Sequence, residues 1–163
     1  AQLDRFLLYV RIGHPDAAAE RAILRLARTQ ATKAMGVPAA PALQVSTEQV
    51  LGARGEVLAM YMAAAVEEYI VQLVLATRDP ARFDKALAGR IRFGASPRAT
   101  IALDRCARAH AWLLGKDYVA PEDVQAVAHD VLRHRLLLSF EAEADGMTPE
   151  SLLDDLLRLV PVA

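Results

Sequence analysis

A chain of 163 residues, 54% hydrophobic but only 6% aromatic, is long enough for one domain with a real core and only marginally long enough for two. Its 19 basic and 20 acidic residues leave a formal charge of −1, scattered rather than blocked, so no field gathers DNA, RNA or anionic lipid. The single cysteine, Cys106, excludes an intrachain disulfide and any cysteine-based zinc site.

Much of the apolar share is Ala and Leu, which favours packed helices over pleated sheet; the expected class is all-α. No apolar run approaches the roughly 20 residues of a membrane span, and AQLDRF lacks the basic flank and apolar stretch of a leader. The expected compartment is the cytoplasm. The chain opens at Ala1 directly into patterned sequence, which suggests a piece of a longer protein.

Phe6 to Ile12, FLLYVRI, is ended by Gly13, His14 and Pro15 and suits one buried strand, whose partner strands are expected upstream of this sequence. Asp16 can cap a helix over Ala17 to Thr29, where Ala19, Ala22, Ile23, Leu26 and Ala27 recur at helical spacing. Ala31 to Gln44, with Gly36, Pro38 and Pro41, reads as a loop or extended connection. Ser46 and Gln49 have capping-box spacing and open a helix to about Met60, weakened by Gly52 and Gly55 by roughly 1 kcal/mol each relative to Ala. From Ala63 to Arg78, Val66, Ile70, Leu73 and Val74, joined by Tyr69, share one face, and Asp79-Pro80 ends the helix.

Phe83 to Phe93 shows no sustained period and reads as a connection lying over the core. Gly94 to Ala99, GASPRA, launches a helix whose apolar stripe is Leu103, Cys106, Ala107, His110 and Leu114, stopped by Gly115. Pro121, Glu122 and Asp123 open another, to about Arg133; Thr148, Pro149 and Glu150 open the last, to about Leu159. His129 and His134 are the closest histidine pair, and five residues apart they face different sides of a helix, which disfavours zinc. Arg133 and Arg135, at the end of a helix, are expected to tie it to acids on a neighbour.

Ser96 is a good N-cap and Pro97 a good first-turn residue, so Arg98 falls where the helix dipole is positive and a cation costs roughly 0.3 to 1 kcal/mol. An anion would offset that cost: a phosphate there would meet the guanidinium fork and free backbone N–H groups. The alternative is an exposed Arg98, or one paired with an acid such as Asp104. None of Ser46, Ser96, Ser139 or Ser151 sits in a nucleophile elbow, and nothing in the sequence matches G-x-x-x-x-G-K-[ST].

The string RFGASPRATIALDRCARAHAWLLGKDYVAPEDV, from Arg92 to Val124, closely resembles the lid of MoxR-type AAA+ ATPases. AQLDRF, YIVQLVLATRD at Tyr69 to Asp79 and VLRHRL at Val131 to Leu136 extend the resemblance over nearly the whole chain, with 31–44 matching least. The resemblance implies an all-α helical-bundle lid over residues 15–163, preceded in 1–14 by the last strand and edge of an α/β core. Arg98 then matches the sensor 2 arginine that reaches the γ-phosphate. Arg5 of DRF matches the arginine finger acting on ATP bound by a neighbouring subunit, although on spacing alone it reads as a salt bridge to Asp4 or another acid. His14 and Pro15 fall at a junction resembling a wall of the adenine pocket; on residues alone they are a turn.

The same resemblance implies ATP with Mg²⁺ in the full-length parent and no cofactor for this piece alone, which would not turn over ATP. It implies as partners the parent's own N-terminal ATPase core, neighbouring subunits of a homo-oligomeric ring, expected to be a hexamer, and a von Willebrand factor A domain protein. The role would be chaperone-like remodelling of clients, with no metal site in this piece and no nucleic-acid or membrane partner. Two other readings fit the periodicity: a free-standing helical interaction module that takes a partner helix in an apolar groove, and a helix-turn-helix DNA binder around Ala120 to Arg135, which the neutral charge opposes.

Overall fold

Helix starts follow the capping chemistry of the sequence. In the computed structural model, which describes residues 2–33 and 44–162, contacts group the chain into two units, Arg11–Val50 and Ala1–Val10 with Leu51–Ala163. In the smaller unit, Asp16 Oδ1 accepts from Ala18 N and Ala19 N at 3.0 and 2.8 Å and opens α1 (Ala17–Lys33). That helix runs past Thr29 into the stretch expected to be a loop; Gly36, Pro38 and Pro41 lie outside the described residues. The Ser46–Gln49 box closes at both ends, at 2.8 and 3.1 Å, and starts α2 (Thr47–Ala59), none of whose residues is buried.

The core of the larger unit lies among α3 (Ala64–Ala76), α4 (Pro97–Leu113), α5 (Pro121–Leu132) and α7 (Pro149–Leu159). Tyr69, Ile70, Leu73 and Val74 of α3 meet Leu103 of α4, Val124, Val131 and Leu132 of α5, and Leu152, Leu153 and Leu156 of α7, all essentially inaccessible. Each such aliphatic side chain contributes roughly 1.5 to 3 kcal/mol. Ala99, Ala102, Ala107 and Ala111 line the buried face of α4 and let α5, its main partner, approach closely. Cys106 is buried there as expected, and burial pushes its thiol pKa up. Leu114, assigned to the same stripe, is exposed: Gly115 takes φ +68°, and Lys116 N turns back to Ala111 O at 3.0 Å, a left-handed glycine stop.

The four very short strands among the described residues went unseen in the sequence. β1 (Tyr61–Met62) runs parallel to β3 (Tyr118–Val119), and β2 (Ile91–Phe93) antiparallel to β4 (Leu137–Leu138). The connection expected over Phe83 to Phe93 therefore ends in a strand, after a 3₁₀ turn at Lys85–Leu87. A short helix, α6 (Phe140–Ala144), starts on the Ser139 cap and completes seven α-helices among the described residues.

Phe6 to Ile12, expected to be a buried strand, pairs with no strand among the described residues, and its apolar side chains are exposed, Ile12 at 92%. A ladder needs a neighbour, and side chains take the place of one here. Leu3–Arg5 forms a 3₁₀ turn; beyond it, Phe6 O accepts from Arg135 Nη2 at 2.8 Å and Tyr9 O from Arg133 Nη1 at 2.8 Å. Tyr9 N donates to Asp130 O at 2.8 Å, and the Tyr9 ring stacks on His134 with centroids 6.0 Å apart.

Candidate functional site

The GASPRA turn is seated on the end of α3. A Cβ on Gly94 would lie 2.3 Å from Thr77 O and 2.7 Å from Thr77 C, so only glycine lets the two backbones meet. Buried Thr77 accepts from Ala95 N at 2.9 Å and donates to Val74 O at 2.7 Å, while Arg78 Nε donates to Ala95 O at 2.8 Å. These bonds fix where α4 begins and hence where Arg98 stands.

Ser96 then caps α4, accepting from Arg98 N at 3.2 Å through Oγ and from Ala99 N at 2.9 Å through its carbonyl. Pro97 has no N–H to offer. The backbone donors expected to be free for a phosphate are thus already engaged, and only the Arg98 guanidinium remains on offer. Its side chain is 60% exposed, with Nη1 3.5 Å from Asp4 Oδ2. Asp104, the acid suggested as its partner, is taken by Arg108 at 2.8 Å.

Asp4 is the centre of the cluster. Its Oδ2 also accepts from Ser96 Oγ at 2.8 Å, across 92 residues of sequence, and its Oδ1 lies 3.3 Å from Nε of Arg135. The Arg135 side chain is only 3% exposed; it donates to Val131 O at 2.7 Å and Phe6 O at 2.8 Å. Burial lowers its pKa from the ordinary value, with the Asp4 charge pulling the other way. Arg133 pairs with Asp130 and, at 3.3 Å, with Glu150, so both arginines do tie the end of α5 to acids. His134 Nε2 lies between two groups, 2.6 Å from Arg135 Nη1, which can only donate, and 3.2 Å from Phe6 O, which can only accept. Burial pushes the His134 pKa below its usual value.

The structure therefore joins Arg98 to the turn that carries Arg5, through Asp4. Arg5 itself is exposed and, among the described residues, its side chain makes no hydrogen bond or ion pair; Asp4, its suggested partner, contacts Ser96, Arg98 and Arg135 instead. His14 and Pro15 are exposed in the smaller unit, just ahead of the Asp16 cap. Thr77 and the second bond of Ser96 were not singled out from sequence, and Arg135 and Asp4 were read as an ordinary helix-end tie and a partner of Arg5, not as parts of this site. The one signal was Arg98 itself, because a cation at the positive end of a dipole calls for an anion.

A second carboxylate lies at the far end of α4. Asp123 is fully buried and accepts from Lys116 Nζ at 2.7 Å, His110 Nδ1 at 2.9 Å and Ala120 N at 2.9 Å. Burial opposes its ionisation, but Lys116, the Ala120 N–H and His110 outweigh that and hold its pKa below the usual carboxylate value. Among the described residues no group of His, Cys, Asp or Glu could hold a metal ion, and no helix is long and apolar enough to cross a membrane.

The model of the AAA lid domain matches residues 84–156, the span from the 3₁₀ turn before β2 to most of α7. Chaperone MoxR1 of Mycobacterium tuberculosis is 37% identical over 162 residues, covering 98% of this chain and 41% of its own length. This chain is a lid region of the MoxR family of AAA+ ATPases. Protein MoxR of Paracoccus denitrificans is 33% identical, with 99% of this chain and 50% of its own length covered. The solved structure of a proposed ATPase from Cytophaga hutchinsonii matches this MoxR lid at a TM-score of 0.87 and 36% identity, over 99% of this chain and 48% of that one. The chain thus spans about half the length, or less, of the curated relatives it matches.

Proposed function

We propose that this MoxR lid region senses the nucleotide held by an ATPase core and converts its hydrolysis into motion of the helical unit, within a ring of identical subunits that remodels client proteins. The observation that carries the reading is the state of Arg98: anchored by its backbone at the start of α4, 60% exposed at the side chain, and loosely held 3.5 Å from one carboxylate. A guanidinium so placed suits an anionic oxygen, not a metal. Bound ATP with Mg²⁺ supplies the phosphoryl group and the charge to be sensed. Arg98 is the residue that would hold the terminal phosphate, with Ser96 orienting the helix start behind it.

Arg5, exposed on its turn, is free to reach nucleotide bound by the next subunit and to stabilise charge there, the role of an arginine finger. Because Gly94 and Thr77 couple the start of α4 to α3, a pull on Arg98 moves packed helices and not a loose arm. His14 and Pro15 are assigned to the adenine side of the nucleotide, a von Willebrand factor A domain protein is a candidate partner, and the cytoplasm is the assigned compartment.

The test is ATP hydrolysis by the full-length protein. Arg98→Ala should lower kcat and weaken ATP binding, whereas Arg5→Ala should lower kcat and leave ATP affinity intact. Wild-type turnover from Arg98→Ala overturns the reading.

A further inference from the structure

We propose that Asp4 is a positioning residue that competes with nucleotide for Arg98 and, through Arg135, links the state of Arg98 to the turn carrying Arg5. The inference rests on the nucleotide-sensing reading above and adds the device that regulates it. The two oxygens of Asp4 have different company. Oδ2 holds the Ser96 hydroxyl at 2.8 Å and faces Arg98 at 3.5 Å. Oδ1 is buried 3.3 Å from Arg135 Nε, yet among the described residues neither of these two atoms has a hydrogen-bond partner.

Exposure decides which pair can part. The Arg135 side chain is 3% exposed and the acceptors it donates to are the uncharged Val131 and Phe6 carbonyls. Without Asp4 it becomes a buried cation with no counter-charge, so that contact is permanent. Arg98 is largely in solvent, its pairing is long and screened, and it is the partner that leaves. A phosphate outbids one carboxylate for it, offering more charge and bidentate geometry.

Once Arg98 departs, Oδ2 keeps only the Ser96 bond, and a small turn of the carboxylate aligns Oδ1 with Arg135 Nε, satisfying both unmet atoms. Arg135 already holds Phe6 O on the other side of Arg5. Tightening its grip on Asp4 clamps the Leu3–Arg5 turn from both ends. Nucleotide read by Arg98 thereby sets how firmly Arg5 is presented.

Four full-length proteins test this: wild type, Asp4→Asn, Arg98→Ala and the double variant, each with its melting temperature, its kcat and its Kd for a non-hydrolysable ATP analogue and for ADP. Asp4→Asn should tighten analogue binding about two- to five-fold, the scale of one exposed ion pair, leave ADP unchanged, and lower kcat because the Arg5 turn has lost its anchor. The gain in affinity should vanish in the Arg98→Ala background. Equal shifts in both backgrounds, or wild-type Kd and kcat in a folded Asp4→Asn protein, overturn the link while leaving nucleotide sensing intact. Wild-type kinetics from Arg98→Ala alone overturns the sensing reading instead. Should Asp4→Asn fail to fold, the same comparison is made with Asp4→Asn/Arg135→Met, which removes both buried charges together.

Discussion

Asp123 and Asp4 each sit between two basic side chains near opposite ends of α4, and their surroundings differ. Asp123 is wholly buried and its oxygens accept three hydrogen bonds of 2.7 to 2.9 Å from Lys116, His110 and Ala120 N. Asp4 is partly exposed, with one arginine held 3.5 Å away in solvent and another 3.3 Å away without a hydrogen bond. A saturated carboxylate fixes local structure; an unsaturated one can change partners. The same chemical group is therefore expected to govern stability at one end of α4 and response at the other.

The comparison is broken most sharply by Arg98→Ala. If the Asp4 end is responsive, ATP turnover measured on the full-length protein should fall on the order of 10²-fold, as when one transition-state donor is removed, while the melting temperature stays put. An exposed cation on the positive end of a dipole stabilises little. Asp123→Asn should do the reverse, costing about 1 to 3 kcal/mol of stability through lost charge-assisted hydrogen bonds, with activity per folded molecule unchanged. Chemical denaturation reads the first quantity and single-temperature kinetics the second.

Gly94→Ala sharpens the account by striking both ends of the chain of cause. Its Cβ would meet Thr77 O at 2.3 Å, forcing α4 off α3 at a cost of about 1 to 3 kcal/mol and displacing Arg98, so stability and turnover should fall together. The smallest expected effects are those of pH. The His134 pKa is depressed by burial from 6.5, so the unfolded chain takes up the proton first. Its contribution is complete above 6.5 and lost as pH falls beneath it, a decline that His134→Gln should flatten in a melting series. Asp123, with its pKa lowered from 3.8, keeps its contribution above that value and loses it only in stronger acid, as pH falls through the folded value.

Capping and periodicity made the helices legible. Asp16, Ser46, Ser96 and Thr148 are local signals, each acting within three residues, and the buried faces of α3 and, Leu114 excepted, of α4 follow from spacing alone. The strands were not legible because two or three residues carry no alternation. Phe6 to Ile12 has strand composition, but composition does not reveal that Arg133 and Arg135 take its carbonyls. Of the site, Arg98 showed itself as a local anomaly, a cation against the dipole. Asp4 and Arg135 did not, because their meaning lies in a contact across most of the chain, between an acid that looks paired to Arg5 and a basic run that looks like an ordinary helix end.

The most direct test of the central claim is the ratio of ATP-analogue to ADP affinity in full-length protein carrying Arg98→Ala. The account requires that preference for the triphosphate collapse while ADP binding stays at its wild-type value. A ratio identical to wild type, or an equal loss for both nucleotides, would contradict the assignment of Arg98 to the terminal phosphate.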